Sequence, residues 1–353
     1  MLTVFSPNHA HHAPRVEMAD GKLVPAVEIP HRAEMVHFAV LEAELGEIIA
    51  PDALDRALVE QVHDKNYVQF LESFWQRWLD AGRDENVTDT FPFVWPTQGG
   101  PSGLRKIETR HLDGLMGRYS FDAGTPMGPG TWAAASASAA TAQTAAARVS
   151  GGLPNAFALC RPPGHHAMPD AYGGYCFLNN AAIAAQALRN GGASKVAVLD
   201  VDYHHGNGTQ AIFYDRADVF FASIHADPMD EYPYFLGHAD EIGIGAGDGT
   251  NLNLPLPLGT LWPDYANVLS HALAQIEAFE PEAMVISLGL DTFERDPISK
   301  FALKNDDFKT LGAALGGVTV PTVIVFEGGY AVDDLAVNAV NTLSGFLDRH
   351  AAR

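Results

Sequence analysis

Four short blocks of this chain hold residues that could do chemistry together: Arg161-Pro162-Pro163-Gly164-His165-His166, Asp200-Val201-Asp202-Tyr203-His204-His205-Gly206-Asn207-Gly208-Thr209, Leu288-Gly289-Leu290-Asp291 and Glu327-Gly328-Gly329-Tyr330. Asp202 and His204 stand two apart behind an apolar run. In extended chain such residues point the same way, so both can reach one ion. Asp291 follows a second apolar run and can supply a third ligand if the two strands are neighbours. Two carboxylates and one imidazole leave room for water and a substrate carbonyl, as a catalytic metal site requires. Zn2+ suits this donor set, and Fe2+ or Co2+ would suit it too. An isolated Asp-x-His means little; the longer block around it is specific. Asp200 lies one step deeper on the same side, and a buried carboxylate needs compensation. A monovalent cation or a histidine imidazole would provide it.

His165 and His166 follow Pro162-Pro163-Gly164, a rigid turn that fixes their direction. One imidazole can take a proton from attacking water while the other protonates a leaving amine. Which does which depends on tautomers, with Asp200 and Asn207 as the candidates that set them. Gly328-Gly329 allows a turn that carries the Tyr330 hydroxyl close to the ion. There a phenol would stabilise the oxyanion of a tetrahedral intermediate. The set is the equipment for metal-assisted hydrolysis of an amide.

These blocks need elements to hold them. Apolar runs at Asn155–Cys160, Lys195–Asp200, Val219–Ile224, Ala283–Leu290 and Pro321–Phe326 predict buried strands, with Leu2-Thr3-Val4-Phe5 as a short first one. Between them, Trp132–Val149, Asn180–Arg189, Asp264–Phe279, Asp307–Leu315 and Asp333–Leu347 predict helices. The alternation predicts an α/β fold with a parallel sheet covered on both faces. Ligands of such folds bind beyond the carboxyl ends of the strands, where all four blocks fall. Ala57–Ala81 predicts one long helix feeding Arg83–Gly130, a Gly- and Pro-rich segment with little periodicity. A loop that long inside a compact domain is usually functional. Nothing marks a linker or repeat, so residues 1–353 are expected to form a single domain.

The bulk composition narrows the function. Acidic residues outnumber basic ones by 43 to 22, for a net charge of -21. Nucleic acid is therefore not an expected partner, whereas a cationic substrate would be concentrated near the surface. No apolar run is long enough to span a membrane and no secretory leader is evident. Two cysteines, Cys160 and Cys176, imply no disulfide framework, which suits the cytoplasm.

Together the blocks resemble the zinc-dependent histone deacetylase branch of the arginase–deacetylase superfamily, most densely from Phe157 to Tyr330. The resemblance implies a single-domain fold around an eight-stranded parallel sheet flanked by helices. It implies Asp202, His204 and Asp291 as zinc ligands, His165 and His166 as the tandem catalytic histidines, and Tyr330 as the transition-state tyrosine. It also implies a structural K+ near Asp200, Ser223, Ile224 and the backbone of Asp202 and His204, and a second K+ near Phe213 and Val219. Asn207 stands where some deacetylases carry an aspartate.

Cys-Arg-Pro-Pro-Gly-His-His-Ala, Gly-Gly-Tyr-Cys-Phe-Leu-Asn-Asn and Ser-Leu-Gly-Leu-Asp-Thr-Phe-Glu-Arg-Asp-Pro-Ile are similar to the bacterial acetylpolyamine amidohydrolase branch, as is the stretch around Glu17, Leu23-Val24-Pro25 and Arg32-Ala33-Glu34. That likeness implies a small cationic acetylated polyamine as substrate and a homodimer. It makes residues 83–130 the segment that dimerises and narrows the entrance. Glu17 and Asp113 would greet the distal amine, Asp113 standing where relatives carry Glu, and Tyr175 and Tyr232 would line the channel. Aromatic walls and rim carboxylates suit a slim chain ending in ammonium. The alternatives are a deacetylase of acetyl-lysine in proteins or peptides and a catalytically silent acetylpolyamine binder. A ureohydrolase would need further metal ligands that are not evident.

Overall fold

The structure is a computed structural model and describes residues 1–96 and 109–351. Ten strands occur among them: β1 Leu2–Val4, β2 Val16–Ala19, β3 Lys22–Pro25, β4 Ile48–Ile49, β5 Asn155–Ala158, β6 Val196–Asp200, β7 Val219–Ala226, β8 Asn251–Leu256, β9 Ala283–Leu288 and β10 Thr322–Phe326. Eight form one sheet in the order β4-β1-β5-β10-β9-β6-β7-β8, every pair parallel. β2 and β3 form a separate antiparallel hairpin. The four strands that precede the four chemical blocks are β5, β10, β9 and β6, consecutive neighbours at the centre of the sheet. One fact of topology thus brings residues from four distant stretches of chain to one edge.

Alternation along the strands decides which core each side chain enters. Ala156, Ala158, Val196, Val198, Val285, Val323 and Val325 face one core, packed with Ala-rich helices at Thr131–Ser150 and Asn180–Asn190. Phe157, Leu159, Leu199, Met284, Ile286, Ile324 and Phe326 face the other, with helices at His31–Glu42, Trp262–Phe279, Asn305–Leu315 and Val332–Ala351. Period-two side-chain direction makes this division unavoidable once the strands pair in register. Small residues on the first face let the Ala-rich helices approach closely. The second face carries larger residues, and both cores are buried.

The expected strands and helices around the blocks are present, with ends shifted by a few residues. Ala57–Ala81 is a correction: it holds two helices, Arg56–Val59 and Lys65–Asp80. Asp64 interrupts the run, because its side chain accepts from the N–H groups of Asn66 and Tyr67 and so starts a new helix. Arg83–Gly130 also has more order than its composition predicts. A helix at Leu112–Arg118 begins where His111 caps the N–H of Asp113, and Thr90 pairs with Met127. The middle of that segment, 97–108, lies outside the described residues.

Candidate metal centre and catalytic cavity

Asp202, His204 and Asp291 each offer a ligand atom, all within 4.8 Å of one another, and all three residues are buried. Adjacent strands explain it: β6 and β9 are paired with Asp200 opposite Ser287, so the loops leaving them run side by side. The second lone pairs of the carboxylates are held by backbone. Asp202 accepts from the N–H of His204 at 2.9 Å and of Gly328 at 2.8 Å, and Asp291 accepts from the N–H of Tyr203 at 2.9 Å.

Two glycines leave the space this needs. A Cβ on Gly289 would fall 2.2 Å from Asp202 Oδ2, and one on Gly328 would fall 2.5 Å from Asp202 Oδ2 and 2.6 Å from Asp291 Oδ2. No other residue type allows that approach. The electrostatics point the same way. Burial, and then the charge of Asp202, push the Asp291 carboxyl up to about 7. Burial disfavours charge on His204, but its bonds to Asp202 and Asp291 outweigh that and lift it to about 10. Crowded carboxylates that hold protons on each other's neighbours are a site whose charge balance a divalent cation completes. The donor set, two oxygens and a nitrogen, therefore fits a catalytic metal.

His165 and His166 follow β5 and sit next to this centre, ring centroids 4.0 Å apart. Their partners differ. His165 Nδ1 meets Asp200 at 3.0 Å, and His166 Nδ1 meets Asn207 Oδ1 at 2.6 Å. Asp200 has thus found an imidazole as its compensation. Burial opposes protonation of both rings. For His165 the charges of Asp202 and Asp200 outweigh burial and raise it to about 10. For His166 burial prevails, reinforced by His165 and His204, and holds it well below the usual imidazole range. The surroundings thus favour charge on His165 and the neutral form of His166. Because Asn207 offers His166 an acceptor oxygen, the neutral ring carries its proton on Nδ1 and presents a bare Nε2.

Tyr330 is buried behind the centre. Gly329, at φ +117, makes the turn before it. Asp296 accepts the Tyr330 N–H at 2.7 Å, and the Arg32 guanidinium lies 4.5 Å from the ring centroid. Arg32 also donates to the carbonyls of Gly329 and Glu327. Behind it Glu28 pairs with both Arg32 and Arg161, at 2.8 Å each, with all three side chains buried. Burial raises the Tyr330 phenol well above its ordinary range, against the pull of Arg32, so it remains a hydrogen-bond donor.

A cavity of about 960 Å³ opens onto these groups. His166, His204, Asn207 and Tyr330 form its floor, and Glu17, Asp122, Tyr175 and Tyr232 stand in its walls. Tyr175 adopts φ +65; it donates its N–H to Thr125 and its hydroxyl to Glu17 at 2.9 Å. The Tyr232 ring meets His166 edge-on at 5.1 Å, and its hydroxyl donates to Asp122 at 2.8 Å. The carboxylates Glu17, Asp122 and Glu231 line this cavity, and no Lys or Arg does so among the described residues.

Of the residues singled out in the sequence, this region gathers the three ligands, both histidines, Tyr330, Asp200, Asn207, Glu17, Tyr175 and Tyr232. Ser223 pairs with Asp200 across β6 and β7, Ile224 follows it, and the Ser223 hydroxyl meets His225 Nδ1 at 2.8 Å. Phe213 and Val219 are buried at the end of helix Asn207–Phe213 and the start of β7. Asp113 is not brought to the cavity: it pairs with Arg83 at 2.5 Å on the surface segment. Four residues were not read from the sequence as site residues. Glu327 accepts from the N–H groups of Gly164 and His165 at 2.6 and 3.1 Å and so fixes the histidine turn. Asp122, Asp296 and Arg32 hold the channel wall and Tyr330. Glu327, Asp122 and Asp296 are single polar residues on loops, which carry no periodicity to reveal them, and Arg32 is one buried charge at the start of the helix His31–Glu42.

Residues 26–346 match the histone deacetylase domain, and the chain belongs to the histone deacetylase family. It is a hydrolase of the deacetylase type. It is 49% identical to acetylpolyamine amidohydrolase 2 of Pseudomonas aeruginosa, over 99% of this chain and 100% of that one. It is 46% identical to the acetylpolyamine amidohydrolase of Mycoplana ramosa, over 98% of this chain and 99% of that one. The crystal structure of acetylpolyamine aminohydrolase from Burkholderia pseudomallei superposes with a TM-score of 0.92 at 41% identity, covering 99% of both chains.

Proposed function

We propose that this protein hydrolyses small N-acetylated polyamines, of the acetylputrescine, acetylcadaverine or acetylspermidine kind, to acetate and the free amine. The observation that carries this is the cavity itself: aromatic walls, three carboxylates, no lining Lys or Arg among the described residues, and a metal triad and neutral imidazole at its floor. Full-length likeness to acetylpolyamine amidohydrolases supports the same substrate class.

Asp202, His204 and Asp291 would hold one divalent ion, with Zn2+ the first candidate and Fe2+ or Co2+ compatible with the same donors. When bound, the ion supplies Lewis acidity to the acetyl carbonyl and to water. The remaining work falls to the chain. Nε2 of neutral His166 takes a proton from the attacking water and later returns it to the departing amine nitrogen. His165, an imidazolium braced by Asp200, stabilises negative charge beside it. The Tyr330 hydroxyl donates to the oxyanion. Tyr175 and Tyr232 hold the slim chain, and Glu17 receives the distal ammonium. We assign the K+ positions to the Asp200–Ser223–Ile224 corner and the Phe213–Val219 turn. We assign a homodimer contact to residues 83–130, a reading supported by Phe93 and Trp95, which are 71% and 38% exposed there.

The test is substitution at the wall. Glu17→Gln is expected to raise KM for acetylputrescine about tenfold while kcat changes little, as removal of one charge-assisted contact implies. An unchanged KM would remove Glu17 from substrate binding.

A further inference from the structure

Two buried groups beside the catalytic histidines have no part in this scheme: the Cys176 thiol and one oxygen of Glu327. His165, Cys176 and Glu327 each offer one ligand atom, and the three atoms lie within 4.8 Å of one another. This group shares no residue with the Asp202–His204–Asp291 triad, which it adjoins through His165 and Asp202, and all three of its residues are buried. Glu327 Oε2 is satisfied by the N–H groups of Gly164 and His165. Oε1 has no partner although the side chain is 0% exposed. Leaving a buried acceptor unsatisfied costs about 1–3 kcal/mol, so such an atom points to a missing partner. His165 Nδ1 is committed to Asp200, which leaves Nε2, 3.7 Å from Asp202 Oδ1, as the nitrogen available to an ion. The Cys176 thiol meets only backbone, the carbonyl of Gly174 at 3.2 Å and the main chain of His166.

We propose that His165, Cys176 and Glu327 form a second metal site, for a thiophilic divalent cation such as Zn2+ or Cd2+, and that filling it inhibits the enzyme. One nitrogen, one sulfur and one oxygen are the donors that zinc-like ions select, with a fourth tetrahedral position left for water. Binding releases to solvent the Cys176 proton together with any proton on His165 Nε2 or Glu327 Oε1, and the cation then balances the new thiolate and the carboxylate. Gly174 and Tyr175, the residues before Cys176, line the cavity, so the cavity wall beside them is the way in. An ion on His165 Nε2 occupies the nitrogen that faces Asp202 Oδ1, on a ring whose centroid lies 4.0 Å from that of His166, which is the source of inhibition. That last step rests on the proposed role of His165; the metal site does not.

The test uses the Zn2+-loaded full-length protein titrated with Cd2+. Three things are followed: the ultraviolet cadmium–thiolate charge-transfer band, the metal content after gel filtration, and acetate release. The thiolate band is specific, because the catalytic triad contains no sulfur. In the wild type the band grows as a second ion is retained, and turnover falls in step. Cys160→Ala, which removes the only other cysteine, keeps the band. Cys176→Ala loses it, retains one ion, and needs at least tenfold more Cd2+ for the same fractional inhibition. Absence of the band in the wild type, or its disappearance in Cys160→Ala, overturns the site whether or not Cys176→Ala folds. A band from Cys176 with unchanged turnover overturns the inhibitory half, and with it the role of His165, while the metal site stands.

Discussion

Replacing Gly289 with alanine probes the metal centre without touching a ligand. The new Cβ would lie 2.2 Å from Asp202 Oδ2 and 2.5 Å from Asp202 Cα and Cγ, whereas real Cβ contacts essentially never fall below 3.0 Å. Asp202 must therefore retreat by most of an ångström. Metal–ligand distances tolerate about 0.2 Å, so the displacement exceeds the tolerance severalfold. Forced overpacking costs about 1–3 kcal/mol in a packed core. A misplacement of about 1 Å near the reacting atoms costs roughly 100-fold in rate. The assay is threefold: metal content after dialysis, thermal unfolding, and acetate release at saturating substrate. Gly151→Ala is the control, since its Cβ would meet nothing nearer than 3.3 Å at a helix end far from the cavity. Gly289→Ala is expected to lose most of its metal and about two orders of magnitude in kcat, while Gly151→Ala keeps both. Full metal content and near wild-type turnover in Gly289→Ala would refute the argument that the glycine makes room for the ligand.

Other perturbations test other parts of the site. His166→Ala and Tyr330→Phe should each lower kcat by about 100-fold or more with the metal still bound, as expected for a lost proton carrier and a lost oxyanion donor; metal analysis beside steady-state rates checks both. Asn207→Asp places a carboxylate on His166 Nδ1, where Asn207 now accepts at 2.6 Å. It should raise the basicity of His166 and shift the acid limb of the kcat/KM profile to higher pH; an unmoved limb would deny His166 the role of base. His63 tests linkage away from the site: it is buried, with Nδ1 on the carbonyl of Met168 and Nε2 accepting the N–H of Asn179, and burial lowers it to about 4. Its unfolded value is near 6.5, so the unfolded state gains the proton first, and its contribution to stability is present above pH 6.5 and lost as pH falls toward 4. Stability measured by denaturation should therefore fall more steeply over that range in the wild type than in His63→Gln.

Much of the fold and the site was legible in the residues, and for identifiable reasons. Strands buried on both faces leave continuous apolar runs, so β5, β6, β9 and β10 stood out, and each chemical block began where such a run stopped. β8 did not stand out. It lies at the sheet edge, where Asn251, Asn253 and Pro255 interrupt the apolar pattern. Spacing carried Asp202 with His204, because both descend from one strand. It could not carry Glu327 to Gly164, or Arg32 to Tyr330. Those meetings are set by sheet order and helix packing, which no local pattern encodes. Asp113 shows the same limit from the other side: its match to an entrance carboxylate was positional, and the fold gives it to Arg83 instead.

The central claim is that the acid-walled cavity over the Asp202–His204–Asp291 centre serves a small acetylated polyamine. It is tested most directly by acetate release from acetylputrescine, acetylcadaverine and an acetyl-lysine peptide at equal concentrations, before and after chelation. The account predicts a strong preference for the acetylated diamines, abolished by chelator and restored by Zn2+. Preference for the peptide, or acetate release that survives chelation, would contradict it.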